Sequence, residues 1–206
     1  GPTKRALGLL AKHLRLDEER AAELEEFTSA VKTPESWLNQ SAKLLLAAQL
    51  IERLLAPLQA ADPIALMQGR EADRSVEEKA LYSLQILSVA FALENAFKAV
   101  LSAKKQLNVE SNGKLKGPWT DGHDIVNLAE KAGYAMESAG ERAWLRSLSH
   151  FGTWIGRYPV PMTAALLARC LKPEEISSDH PDLVEYSELL IRWCAGEIER
   201  HRLESI

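Results

Sequence analysis

Apolar residues recur along most of the chain three and four positions apart, the spacing that places them on one face of an α-helix. Helix-capping patterns, in which a serine, threonine or aspartate precedes such a run, accompany them. Alternating runs of β-branched residues, the usual sign of a half-buried strand, are missing. The pattern predicts an all-α fold without a β-sheet.

The N-terminal part of the chain predicts a helical arm that packs on the rest. Leu7, Leu10 and Leu14 lie on one face of an amphipathic segment. A second short helix is expected to start within Asp17–Arg20. The predicted divisions are this arm, residues 1–32, and a helical bundle, residues 33–206.

A long helix is predicted to follow the arm. Thr33 offers a capping hydroxyl directly before Pro34, and proline suits the first helical position because its missing N–H would be unpaired there anyway. The helix should end at Pro57 or at Asp62-Pro63, since proline interrupts the backbone hydrogen bonds of a helix.

The next helix is predicted to be the longest and the most central. Ser75 and Glu78 form a capping box that opens a run to about Gln106. Between positions 79 and 98 the only charged residue is Glu94, so the helix is apolar almost all round. Such a helix is typical of the centre of a bundle.

The sequence of the second half of the chain predicts a polar surface loop over residues 108–121, followed by further helices. A short helix follows the loop and closes at Gly133, and Ser138 with Glu141 forms another capping box. Pro181 is predicted to begin the last helix. For residues 162–170 the sequence does not decide between a helix and an irregular segment.

Composition and charge narrow the classes of function. The 206 residues are 46% hydrophobic, enough for one sizeable core. The formal net charge is -4, with 25 basic and 29 acidic side chains interspersed, so a broad surface for duplex DNA is not expected. The two cysteines, Cys170 and Cys194, lack metal-type spacing, and we expect neither a metal site nor a cofactor.

A membrane location is not predicted either. The most apolar stretch, Leu81–Leu101, contains Glu94 and Lys98, which are costly in lipid, and no secretory signal opens the chain. We expect a cytoplasmic protein, since cysteine is sparse. Gly1-Pro2 is typical of a protease-trimmed expression product, so the natural protein can extend further on this side.

Three segments form a further pattern: Ala92–Leu101 on the long helix, Gly122-His123-Asp124 at the start of a short helix, and Arg157-Tyr158-Pro159 after the next helix. In this order and spacing they resemble the HEPN family of nucleotide- and RNA-associated helical domains. The resemblance implies an antiparallel four- or five-helix bundle, often dimeric. It also implies a place among prokaryotic toxin, antitoxin, defence and stress proteins or nucleotide-binding modules.

The chain departs from this family at its catalytic motif. The ribonucleases of the family carry an arginine, four to six further residues and then a histidine, which cleave RNA by general acid/base chemistry. Here Arg146 precedes His150 with three residues between them, and Arg142 precedes it with seven. An enzyme is therefore not favoured; a divergent ribonuclease would have to use His123 or His150 with Arg157.

Each candidate residue has a structural alternative. Glu94 and Lys98 can line a ligand pocket or form a buried pair, and Arg157 can bind a phosphate or Glu94 itself. His123 beside an N-cap at Asp121 can hold a phosphate, or it can simply cap its helix together with Asp124. The predicted ligand-binding residues are Glu94, Lys98, His123, Asp124, Arg157 and Tyr158.

Two further features are weaker candidates. The lysines at positions 104, 105, 114 and 116 form a local basic cluster near Trp119, which can stack on a base or belong to a solvated loop. His150 is expected in the core or at an interface, and we predict a homodimer through helix faces near His150 and Trp154.

Together these patterns favour a binding module that accepts a nucleotide or an RNA phosphate in a bacterial defence, toxin-antitoxin or regulatory system. A protein partner encoded by a neighbouring gene is expected with it. The alternatives are the divergent ribonuclease and a helical adaptor or oligomerisation protein without a small ligand.

Overall fold

The computed structural model describes residues 18–60, 76–119, 122–155 and 182–204. Over these residues the chain is helical apart from short connections and one small hairpin, which confirms the all-α class. The helices are α1 (residues 18–32), α2 (Pro34–Ala60), α3 (Val76–Ala103), α4 (Ile125–Ala132), α5 (Ala139–His150) and α6 (Leu183–Glu204), and strands β1 (Asn108–Val109) and β2 (Leu115–Lys116) form the hairpin.

Helix α3 lies at the centre of the bundle and, with 28 residues, is the longest described helix, as predicted. Its inner positions, among them Leu93 and Phe97, have no solvent exposure and contact the neighbouring helices. Within the described residues, Ala80–Ala103 is also the one helix long and apolar enough to cross a membrane, but 67% of that window is buried inside the protein. This burial is compatible with a soluble protein.

Contacts along the helices give their directions. Ser41 on α2 donates to the Ala92 carbonyl on α3, and Trp37, one turn earlier on α2, contacts Lys98, later on α3, so the two helices run antiparallel. Helix α2 is also antiparallel to α6, because Glu35 binds Arg202 and Gln49 binds Glu188. Consequently α3 and α6 run in the same direction beside each other.

The start and end of α2 differ partly from expectation. Pro34 occupies the first helical position as predicted, but the Thr33 hydroxyl donates back to the Ser29 carbonyl of α1 at 2.8 Å instead of capping α2. The helix continues through Pro57 to Ala60. Pro57 was therefore the wrong choice of end, and Asp62-Pro63 lies outside the described residues.

The predicted absence of strands was wrong at residues 108–116. Residues 110–113 form a tight turn in which the Gly113 N–H donates to the Glu110 carbonyl at 2.8 Å, and Gly113 ends the turn in the left-handed conformation at φ 80°. Such a turn suits a two-stranded hairpin. The hairpin is anchored because Leu107, Val109 and Leu115 pack on the core.

One of the two alternatives given for Asp124, that it caps the short helix α4, is confirmed. Asp124, not Asp121, is the N-cap, and its carboxylate accepts the backbone N–H of Asn127 at 3.1 Å. Gly133 ends the helix in the left-handed conformation at φ 88°, as predicted. The carboxylate of Asp124 therefore occupies the anion-attracting end of α4.

Helix α5 runs on into a π-helical turn, Phe151–Ile155. Ser138 caps α5 by accepting the backbone N–H of Glu141, as predicted. Gly152 in the π turn lies close to α3, because a Cβ there would lie 3.4 Å from the Cβ of Ala90. The expected Ser75 cap, the start at Pro181 and the open helix at 162–170 lie outside the described residues.

Candidate functional site

The predicted pair of Glu94 and Lys98 is formed, and it is buried. The two side chains are one helical turn apart on α3, with Lys98 Nζ 2.5 Å from Glu94 Oε1. Glu94 is 8% exposed and Lys98 is 6% exposed. Burying such charges is costly unless they are paired, so the ion pair offsets part of the cost of burying both side chains.

His123 completes this cluster from the segment that precedes α4. Its Nδ1 lies 3.0 Å from Glu94 Oε2, the oxygen that Lys98 does not use. A carboxylate at this distance favours the proton on Nδ1 and fixes the orientation of the ring. The side chain of His123 is 44% exposed, against 10% for that of Glu94, so the imidazole is the part of the cluster that meets solvent.

Two tryptophans from distant parts of the chain enclose the Lys98 ammonium group. Its Nζ lies 5.7 Å from the ring centroid of Trp37 on α2 and 5.4 Å from that of Trp119. Both distances are within the range of a cation–π interaction. Trp37 is held in place because its indole N–H donates to the Val31 carbonyl at 2.9 Å.

Trp119 approaches Lys98 because two glycines leave room for its ring. A Cβ at Gly117 would lie 2.2 Å from the six-membered ring of Trp119, and a Cβ at Gly122 would lie 3.2 Å from its Nε1. Any larger residue at position 117 would displace the indole. The glycines of this connection thus have a packing role beside Lys98.

The arrangement has a simple electrostatic consequence. Lys98 neutralises Glu94, so the carboxylate can orient His123 without presenting a net negative charge to an approaching anion. Lys98 itself is enclosed by Glu94, Trp37 and Trp119. Among the described residues of the cluster, His123 is exposed and Trp119 is partly exposed.

The structure brings together three of the predicted ligand-binding residues: Glu94, Lys98 and His123. Asp124 is occupied as the N-cap of α4. Arg157 and Tyr158 lie outside the described residues, and with them both alternatives for Arg157, a bond to Glu94 or to a phosphate. His150 is half-buried at the end of α5.

The predicted lysine cluster is only partly a surface feature. Lys104 Nζ donates to the Ala132 carbonyl at 2.6 Å and lies 3.8 Å from Glu197, so it links α3 to α4 and α6. Lys105, Lys114 and Lys116 remain exposed at the hairpin. They leave a small basic region beside the segment that carries Trp119.

A second buried cluster, which the sequence analysis missed, surrounds Glu141. Its carboxylate accepts the Tyr134 hydroxyl at 2.6 Å, the backbone N–H of Glu137 at 2.7 Å and the hydroxyl of Tyr186. Glu141 is 4% exposed. The capping-box pattern marked this glutamate, but here it links α5 to α6 and to the connection between α4 and α5.

This cluster predicts a loss of stability at alkaline pH. Burial, followed by the hydrogen bond to Glu141, raises the pKa of Tyr186 to about 12 and raises that of Tyr134 further. Because the folded pKa lies above the ordinary value of about 10, this contribution to stability is complete below about pH 10 and is lost as pH rises through 12. Urea unfolding between pH 8 and 12 measures this loss of stability, which should be smaller in Tyr186→Phe than in the wild type. An equal loss in the two proteins would contradict the assignment to Tyr186.

Among the described residues, no group of three or more His, Cys, Asp or Glu side chains is placed to hold a metal ion. A comparison of the chain with protein-family models, with curated proteins and with solved structures finds no match. Function therefore has to be inferred from the site itself and from the resemblance of its motifs.

Proposed function

We propose that the chain is a HEPN-like binding module that accepts a nucleotide or RNA phosphate at His123. The observation that carries this proposal is the half-exposed imidazole of His123, held through Nδ1 by the buried carboxylate of Glu94, whose charge is neutralised by Lys98. Glu94 thereby fixes the orientation of the ring, while 44% of the His123 side chain stays exposed to solvent.

The chemistry of this surface suits a phosphate group. When the imidazole is protonated, Nε2–H donates a charge-assisted hydrogen bond, which is shorter and stronger than a neutral one. The exposed hairpin lysines, Lys114 and Lys116, add local positive potential, although Lys116 lies 3.9 Å from Glu110. The charged area is small, in keeping with a mononucleotide or a short single-stranded RNA.

The cellular setting of the proposal comes from the resemblance. By this resemblance, the chain would act in the cytoplasm, as part of a bacterial defence, toxin-antitoxin or regulatory system. It would bind a protein encoded by a neighbouring gene and form a homodimer through the region of His150 and Trp154. These remain proposals, and Arg157 and Tyr158 remain candidate ligand contacts within them.

One observation favours a second function, metal-independent RNA cleavage. A histidine whose Nδ1 is held by a carboxylate can act through Nε2 as a general base on a ribose 2′-hydroxyl. The usual arginine-histidine spacing of the family is missing, so His123 would carry this role. RNA products with 2′,3′-cyclic phosphate termini would identify the activity if the wild-type protein forms them and His123→Ala does not.

Binding of fluorescein-labelled single-stranded RNA, followed by anisotropy with AMP as competitor, tests the first function. Replacing His123 by alanine removes a charge-assisted hydrogen bond worth about 1.5–3 kcal/mol and should weaken binding by roughly 10- to 100-fold. His201→Ala is the matched control, because His201 lies on α6, where it forms ion pairs with Glu197 and Glu204. Equal affinity of His123→Ala and wild type would reject the site.

A further inference from the structure

The outer face of α2 carries a row of exposed leucines. Leu46, Leu50 and Leu54 are 53%, 50% and 58% exposed, and they follow one another at four-residue spacing along one side of the helix. A surface helix normally turns such a row toward the core and keeps polar residues on the opposite side. Here α2 buries Ala48 and Leu55 in the core, so the exposed leucines form a second apolar face.

Helix α3 extends this apolar surface. Ser41 bonds to Ala92 across the two antiparallel helices, and each later residue of α2 lies at the level of a correspondingly earlier residue of α3, because both helices rise by about 1.5 Å per residue. This register brings Leu84, which is 50% exposed, to the level of Leu50. We call the four exposed leucines the leucine patch: Leu46, Leu50, Leu54 and Leu84.

The charges beside the leucine patch make it complementary to a second copy of itself. Lys43 is exposed at one end, on α2, and Glu77 of α3 is exposed at the other end, beyond the level of Leu54. Arg53 is also exposed here, but its charge acts on the neighbouring Glu52 of its own helix. A copy turned about a two-fold axis through the middle of the patch therefore brings its acidic end to the basic end of the first.

The size of this face fits a dimer of moderate affinity. From Asn39 to Pro57 the outer side of α2 is about 27 Å long, and two helices of about 10 Å diameter give it a width of about 20 Å. Two copies would therefore bury about 1,000 Å² in total, which is the lower limit for a specific interface. Association in the micromolar range is expected from a face of this size.

We propose that two copies of this chain associate through the leucine patch, with their α2 helices antiparallel about a two-fold axis at Leu50. Leu46 then packs against Leu54 of the other copy, and Leu50 packs against its own counterpart. Lys43 pairs with Glu77 of the other copy, and the symmetry repeats this ion pair at the opposite end.

This association is separate from the functions proposed above. The leucine patch lies on α2 and the first half of α3, whereas His123 precedes α4 and His150 ends α5. The inference therefore does not depend on ligand binding at His123. It adds an interface to the homodimer proposed through His150 and Trp154, and variants of the leucine patch test it alone.

Sedimentation velocity of the full chain, over a series of protein concentrations up to the submillimolar range, tests the proposal. The wild type should associate as its concentration rises. Leu50→Glu places two carboxylates opposite each other at the axis and should weaken this association by about 100-fold. Leu203→Glu, at an exposed leucine of α6, is the matched control and should leave the association unchanged. Circular dichroism melts check that both variants remain folded.

A charge reversal tests the antiparallel arrangement. Lys43→Glu should weaken association by about tenfold, because it sets two carboxylates against each other at each end of the interface. Adding Glu77→Lys should restore the affinity of the wild type. Lys131→Glu, at an exposed lysine of α4, is the control and should have no effect.

A wild type that stays monomeric at the highest concentration would overturn the proposal. Association that folded Leu50→Glu retains at full strength would overturn it too, because the copies would then meet through another surface. No recovery in the protein with Lys43→Glu and Glu77→Lys would reject the antiparallel arrangement, because the basic and acidic ends would not meet.

Discussion

Replacing Glu141 by alanine is expected to destabilise the protein by about 3–6 kcal/mol, because each of three donors left without an acceptor costs about 1–3 kcal/mol and part of this cost is recovered by water. The three donors are the hydroxyls of Tyr134 and Tyr186 and the backbone N–H of Glu137. They come from three different parts of the fold, so the loss should affect the whole bundle. Urea unfolding followed by circular dichroism measures it.

A matched control for this prediction is Glu130→Ala on α4. Glu130 binds Arg142 at 2.5 Å, but both side chains are more than 40% exposed, so its loss should cost less than about 1 kcal/mol. Glu141→Gln keeps one acceptor oxygen and should fall between the two. Equal stability of Glu141→Ala and Glu130→Ala would show that the cluster does not contribute to folding.

Replacing Lys98 by methionine is expected to cost about 3–5 kcal/mol, since it leaves the buried carboxylate of Glu94 without its cation. Methionine preserves most of the side-chain volume, so the change tests charge and not packing. The contacts of the ammonium with Trp37 and Trp119 are lost as well. Denaturant unfolding of the variant and the wild type gives the difference in free energy.

The double replacement Glu94→Gln with Lys98→Met provides the control. Removing both charges should recover most of the lost stability, because a buried pair replaced as a whole is often nearly neutral. The double-mutant cycle should therefore give a coupling free energy of at least about 2 kcal/mol between the two positions. A coupling near zero would mean that the pair is hydrated and does not form the base of a site.

The helices could be predicted because their signals are local. The apolar spacing of α3, the proline at the start of α2 and the glycine after α4 are read within one or two turns of chain. The hairpin had a local signal too, Asn112-Gly113, but its strands are two residues long and gave no alternation to recognise. The sequence could not decide between Asp121 and Asp124 as the N-cap of α4, because the two residues are chemically equivalent N-cap candidates three positions apart.

The candidate site was predictable only in part. Glu94 and Lys98 could be paired from the sequence because they are four residues apart on one helix. The approach of Trp37 and Trp119 to Lys98 depends on how α2 and the segment before α4 pack on α3, which no local pattern specifies. The same holds for Glu141, whose partner Tyr186 lies 45 residues away along the chain.

The most direct test of the central claim, that Glu94 and Lys98 hold His123 as a phosphate-binding group, is an NMR titration of the histidine rings. We predict that single-stranded RNA or AMP shifts the ring resonances of His123 saturably and leaves those of His201 in place. Glu94→Gln should alter the Nδ1 resonance of His123 before any ligand is added. Binding of RNA or AMP without a change at His123, or no binding at millimolar concentration, would contradict the account.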